Sequence, residues 1–161
     1  MTLFLGIDSG LRKTGWGIVR KDNKGIKYIA SGVLKTKITD KGPEHKSDAL
    51  ALKEIFEYII DIINQYKPDR CSIENTYVNN NPISSLKLAQ ARAAAIVACS
   101  VSGLIPSEYQ ASTIKKVVSG KGNADKTQVN KMISLQLGNI KTETSDESDA
   151  IAIAMCDALS N

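Results

Sequence analysis

Four acidic residues occupy positions where side-chain chemistry is possible. Asp8 directly follows the apolar run Leu3-Phe4-Leu5-Gly6-Ile7, and Glu74 directly follows Cys71-Ser72-Ile73, so each is expected at the carboxyl end of a buried strand. If those strands are parallel neighbours, both acids project at the same end of a sheet, where open α/β sheets hold their ligands. Asp146 and Asp149 are three residues apart at the start of a helical segment, and so share one face. Four carboxylates meeting at one place repel strongly: a pair ~4 Å apart at an effective dielectric of ~20 costs about 4 kcal/mol. Such a cluster calls for cations, and an all-oxygen donor set selects Mg²⁺ or Mn²⁺ over Zn²⁺. Plainer readings stand beside this one. Asp146 and Asp149 also suit the positive end of a helix dipole, and Asp8 suits a turn before Gly10. Glu74 is harder to dismiss, because an acid inside a β run tends to be edge-exposed or functional. Other chemistries have little support. His45, the single histidine, precedes a helix and reads as a surface residue, and no P-loop or GxGxxG is present.

The charges are unevenly distributed. Met1 to Tyr109 carries 15 basic and 11 acidic residues, Gln110 to Lys141 carries six lysines against Asp125, and Thr142 to Asn161 carries five acids and no base. A basic stretch followed at once by an acidic one suits a polyanion held beside metal-binding carboxylates. A solvated lysine-rich surface would give the same pattern.

The elements that must position these residues follow from periodicity. Leu3 to Ile7 reads as a buried strand, Ser9 to Gly15 as a turn, Trp16 to Val19 as a second strand and Lys27 to Lys37 as a third, making an antiparallel meander. Asp40 to Pro43 breaks the chain. Leu52, Ile55, Phe56, Ile59, Ile60 and Ile63 then recur at helical spacing until Lys67-Pro68. Cys71 to Tyr77 reads as a strand reached by a parallel crossover. Ser84 to Ser102 forms an alanine-rich helix, able to pack closely on the sheet or against another subunit. Ile105 to Tyr109 is a last short strand. Ser112 to Val118 and Lys126 to Leu137 are helical, and Thr144 followed by Glu147 is a capping box that starts the final helix. The expected fold is α/β, a five-stranded mixed sheet flanked by helices, in one domain over residues 1–161.

Length and composition set the outer bounds. At 161 residues, 42% hydrophobic and 24% charged, the chain can bury one sizeable core. Its longest apolar runs are seven residues, Ala93 to Cys99 and Ala150 to Cys156. A spanning helix needs about 20, so no membrane placement is expected. The start, MTLFLGIDSG, lacks the features of an export signal, and Cys71, Cys99 and Cys156 form no CxxC pair. They read as reduced core residues of a cytoplasmic protein.

Taken in series, the motifs are specific. Gly6-Ile7-Asp8-Ser9-Gly10 with Thr14-Gly15-Trp16-Gly17, Ile73-Glu74, Ser85-Leu86-Lys87-Leu88-Ala89-Gln90-Ala91-Arg92, Lys115-Lys116-Val117-Val118-Ser119-Gly120, Ala124-Asp125-Lys126-Thr127-Gln128-Val129 and Asp146-Glu147-Ser148-Asp149-Ala150 resemble the RuvC family of Holliday junction resolvases. The match runs from about Leu3 to Ala158. The resemblance implies a ribonuclease H-like nuclease domain, a homodimer, and paired Mg²⁺-dependent nicks in opposed strands of four-way junction DNA, leaving 5′ phosphate and 3′ hydroxyl ends. It implies two ions per site, with Mn²⁺ a possible substitute. By position, Asp8, Glu74, Asp146 and Asp149 match the family's metal-binding catalytic acids, Lys115 and Lys126 its functional basic residues, and Tyr77 an aromatic near the junction bases. The RuvA and RuvB branch-migration proteins are the implied partners. Three positions depart from the common pattern: Ser9 stands where proline is usual, Asn75 where glutamine is, and Tyr77 where phenylalanine is frequent. Some relatives carry histidine in place of Asp146. Three rival readings share some of these features: a related nuclease acting on RNA, a junction-binding protein without catalysis, and an actin-like ATPase with the same Gly-Ile-Asp-x-Gly opening. The last needs two lobes, more than 161 residues supply.

Overall fold

The computed structural model describes residues 1–37, 44–76 and 81–161. The expected break at 40–43 and the aromatic Tyr77 lie outside the described residues, as does the side chain of His45. Three antiparallel strands come first: β1 (Thr2–Asp8), β2 (Lys13–Asp22) and β3 (Gly25–Lys35). Helix α1 (Glu44–Tyr66) then crosses to β4 (Arg70–Asn75), which pairs parallel with β1. Helix α2 (Pro82–Val101) leads to β5 (Ser107–Gln110), parallel to β4, and α3 (Ala111–Ser119), α4 (Lys126–Gln136) and α5 (Ser145–Ser160) complete the chain. The strand order is β3-β2-β1-β4-β5, the mixed five-stranded sheet expected from the sequence.

Three boundary shifts have local causes. Strand β5 begins only after Pro106, which has no N–H to give a ladder, and Ile105 is left 90% exposed. Strand β2 extends to Asp22 because it pairs with β3 along its whole length, Lys13 to Asp22, while β1 covers only Gly15 to Lys21. Helix α2 starts at Pro82 behind Asn81, whose side chain accepts from the Ile83 and Ser84 amides.

Strand alternation sorts the side chains into two layers. Leu5, Ile7, Cys71 and Ile73 face α1 and α2, and pack with Ile55, Ile59, Ala91, Ala95, Ala98 and Cys99. Their sequence neighbours take the opposite face. Phe4 packs there with Ile114, Val118, Ile133 and the buried length of α5, and the Ser72 hydroxyl reaches the Ile153 carbonyl of α5 at 3.3 Å. The same period-two rule turns Asp8 and Glu74 toward α5. The alanine stripe of α2 is therefore used inside the molecule, on the sheet and α1. Three glycines let α5 lie almost on the backbone of β1 and β2. A Cβ at Gly6 would collide with the Ala150 carbonyl, one at Gly15 with the Asp146 carbonyl, and one at Gly17 would stand 2.7 Å from Ile151 Cγ1. The close approach fixes where α5 begins relative to the end of β1.

Candidate active site

Asp8 ends β1, and Glu74 lies near the end of the adjacent parallel strand β4. The turn after Asp8 is closed by the fully buried Thr14, whose hydroxyl donates to the Gly10 carbonyl at 2.9 Å. Opposite them starts α5. The Thr144 hydroxyl accepts from the Glu147 amide at 3.2 Å, and the Glu147 carboxylate accepts from the Thr144 and Glu143 amides, as the capping box requires. This fixes the first turn, which carries Asp146 and then Asp149. Three separate elements thus deliver four acids to one end of the sheet.

The electrostatics record the convergence. Burial, followed by the charges of Asp149, Glu74 and Asp146, pushes the Asp8 carboxyl up to about 7, and Lys126 opposes the shift. Glu74 is also raised, first by burial and then by Asp149, against the pull of Lys115 and Lys126. Lys126 opens α4 behind the Asp125 cap, and its Nζ lies 2.7 Å from Asp149 Oδ2. Lys115 projects from α3 into the same cleft, a space of about 300 Å³ bordered by Glu74, Lys126 and Asp149 and floored by Ile114 and Ile153. All the acids and both lysines expected from the sequence therefore share this end of the molecule. Among the described residues, no three acidic, histidine or cysteine side chains close to the spacing of a preformed metal cage. The donor set itself is all carboxylate oxygen, four acids against two lysines, which fits a hard divalent cation.

A second, smaller cleft of about 170 Å³ lies beside Asp8 and Glu74, lined also by Ser9, Thr76, Leu88 and Arg92. The Ser9 hydroxyl is buried there with no hydrogen-bond partner among the described residues. Arg92 is a site residue that the sequence reading misses. Its position is a usable signal, since 88, 92, 95 and 99 form one helical row that is otherwise apolar, and a charge on such a row needs a partner.

The family model for crossover junction endodeoxyribonuclease RuvC matches residues 4–157. The chain belongs to the RuvC family. The RuvC of Pseudoalteromonas atlantica is 42% identical over 163 residues, covering 100% of this chain and 89% of that one. A Pseudomonas aeruginosa RuvC is 44% identical over 158 residues, covering 98% and 87%. Among solved structures, Thermus thermophilus RuvC in complex with a Holliday junction substrate superposes with a TM-score of 0.87 at 23% identity, covering 99% of this chain and 94% of that one. The yeast mitochondrial Holliday junction resolvase has a TM-score of 0.67 at 12% identity, over 95% and 77%. These neighbours fix the fold as that of the ribonuclease H-like resolvases. As a RuvC-family member the chain is a nuclease, and nucleases of this family are metal-dependent.

Proposed function

We propose that this chain resolves four-way DNA junctions by nicking two opposed strands, with Asp8, Glu74, Asp146 and Asp149 holding two Mg²⁺ ions, or Mn²⁺ in their place. The observation that carries the reading is the meeting of four acids from β1, β4 and α5, with the Asp8 carboxyl driven up to about 7 by burial and by the other three. Ions bound there supply Lewis acidity, which makes water a nucleophile near neutral pH and stabilises the departing 3′ oxygen. The products are a 5′ phosphate and a 3′ hydroxyl.

The chain's own residues do the rest. Lys115 and Lys126 neutralise backbone phosphates, which positions the strand without reading its sequence. Tyr77 stacks on an unpaired base, an interaction tolerant of base identity. One cluster makes one incision, so paired nicks require a two-fold homodimer whose isologous interface repeats the site. An apolar stripe on α2 supports that assembly: Leu86, Val97 and Val101 stay exposed on the helix whose other face is buried. The enzyme works in the cytoplasm with the RuvA and RuvB branch-migration proteins, as the family resemblance implies. Among the described residues no helix is long and apolar enough to cross a membrane.

The test is incubation with synthetic four-way junctions, linear duplex and structured RNA, each with and without Mg²⁺. Paired, symmetric nicks in the junction alone are expected. Equal cutting of RNA would favour the RNA-processing reading, and binding without Mg²⁺-dependent nicks would favour a non-catalytic binder. Dimers mixing wild type with Asp8→Asn should cut one strand and spare its partner. Cutting of both strands together by such mixtures would defeat the paired-site model.

A further inference from the structure

The motif Leu88-Ala89-Gln90-Ala91-Arg92 ends on a charged side chain that points into the molecule, only 18% exposed. Its Nε donates to the main-chain carbonyl of Glu74 at 3.2 Å. Its Nη2 lies 2.5 Å from Glu108 Oε2, an ion pair without the alignment of a hydrogen bond. Glu108 faces Ile73 across the β4–β5 ladder and so shares the α2 face of the sheet, where the guanidinium arrives. Glu74 lies one residue beyond the last pair of the β1–β4 ladder, Ile7 with Ile73. On that side no ladder partner holds it. A planar guanidinium can engage a carbonyl and a carboxylate together, whereas an ammonium on a flexible stem offers a point charge.

We infer that Arg92 is a positioning residue for Glu74. Braced by Glu108 on the edge strand, it holds the Glu74 main chain from α2 and sets how far the carboxylate projects toward Asp8 on the other face. This rests on the reading of Glu74 as a metal-holding acid. The two side chains act as one device: Glu108 neutralises and aims the guanidinium, and Arg92 passes that constraint to β4. Without Glu108, the freed cation would lie beside Asp8 and Glu74 in the smaller cleft and compete there for their charge.

The sign of the effect separates positioning from simple electrostatics. Removing a cation near an acidic cluster strengthens divalent-ion binding by Coulomb's law. Removing a positioning hydrogen bond weakens it. The probe is Mn²⁺ alone, titrated into the full-length protein without DNA and followed by the resonance signal of the free ion. Arg92→Ala should weaken Mn²⁺ binding by about tenfold, as a misplaced ligand does. Arg92→Lys, which keeps the charge and loses the fork, should weaken it by about threefold. Junction binding in EDTA should stay within twofold for both variants. If Arg92→Ala binds Mn²⁺ as tightly as wild type or more tightly, the inference is overturned. Should Arg92→Ala fail to fold, Arg92→Lys decides alone, and unchanged binding by it also overturns the inference. Glu74→Gln is measured alongside: undiminished Mn²⁺ binding there sinks the reading of Glu74 itself, whatever Arg92 does.

Discussion

Helix α5 carries buried or partly buried acids at both ends, and the two ends are built to opposite plans. At its carboxyl end, the Asp157 side chain is 0% exposed and fully answered. Arg70 Nη2 reaches its Oδ1 at 3.1 Å, the Tyr109 hydroxyl at 2.8 Å and Asn161 Nδ2 at 2.9 Å. At its amino end, Asp146 and Asp149 face Asp8 and Glu74, and among the described residues Lys115, Lys126 and Arg92 are the cations around them. Toward these four carboxylates the described residues extend one hydrogen bond, from Lys126 Nζ to Asp149 Oδ2 at 2.7 Å. A buried acid with its partners supplied is part of the scaffold. A cluster of acids kept short of partners stores unfavourable energy until something positive arrives, which is how a binding site differs from a core.

The largest break in this comparison comes from Asp8→Asn. The change keeps the side chain's size and removes the charge. Cleavage of four-way junctions should fall at least ~10³-fold, as expected if Asp8 is a ligand of the catalytic ions, as proposed. Stability should move the other way. The carboxyl ionises at its ordinary 3.8 in the unfolded chain but at about 7 in the folded one. Between those values the unfolded chain has lost its proton and the folded one has kept it. Wild type should therefore lose stability as pH rises from about 4 to about 7, and stay at the lower level above that. Each unit is worth about 1.4 kcal/mol, so after allowance for partial screening Asp8→Asn should stabilise the metal-free protein by ~1–3 kcal/mol at pH 8. Thermal melts in EDTA at pH 5 and pH 8 check this. A variant less stable than wild type at pH 8 would show that Asp8 is held like Asp157.

Asp157→Asn tests the other end. It removes the charge that Arg70 and Tyr109 are arranged around. Losing one partner of a buried pair costs about 3–5 kcal/mol when the survivor is also buried. Arg70 is 40% exposed and can turn to water, so the expected loss is smaller, ~1–3 kcal/mol by urea denaturation. Cleavage per folded molecule should be unchanged, because the network lies at the strand ends opposite the acidic cleft. A fall in turnover with stability intact would mean that α5 transmits changes along its length.

The sequence reveals the two ends unequally, for physical reasons. Asp8 and Glu74 each terminate a short apolar run, and run length with strand alternation gives position, end and face without any tertiary knowledge. The Thr144–Glu147 box locates the start of α5 because capping is local. Asp157 carries no such mark: it follows seven apolar residues on a helix, and only the chain's folding brings Arg70 and Tyr109 to it. Gly6, Gly15 and Gly17 are visible as motif letters, yet a glycine in a strand does not say what lies above it. The helix α5 that fills that space comes more than 120 residues later. Arg92 sits between these cases. Its place on a buried row is legible, but its partner Glu108 belongs to an edge strand whose pairing with β4 no local pattern reveals.

The smallest expected effect, and the one that tests the acidic end most finely, is that of Lys126→Ala. Its ion pair with Asp149 is short, but the lysine side chain is 54% exposed, and exposed pairs contribute ~1 kcal/mol or less. Folding stability should hardly change, in contrast with Asp157→Asn. The hydrogen bond to Asp149, with the charges of Asp149, Asp8 and Asp146, raises the Lys126 ammonium above its usual range, so the free protein presents a cation already drawn to the acids proposed to hold the ions. On the proposed reading, metal bound to those acids would release the ammonium toward the phosphates of the bound strand. A protein that neutralises one phosphate fewer should show a log–log dependence of junction affinity on salt that is flatter by about 0.9. The measurement is junction binding to the Lys126→Ala protein across a salt series in Ca²⁺, where the acids are occupied, and again in EDTA, where Asp149 retains the lysine in wild type. The slope difference between variant and wild type should be larger in Ca²⁺ than in EDTA. Equal differences would mean that Lys126 meets DNA regardless of Asp149, and that the acidic end does not hold its lysine as Asp157 holds its arginine.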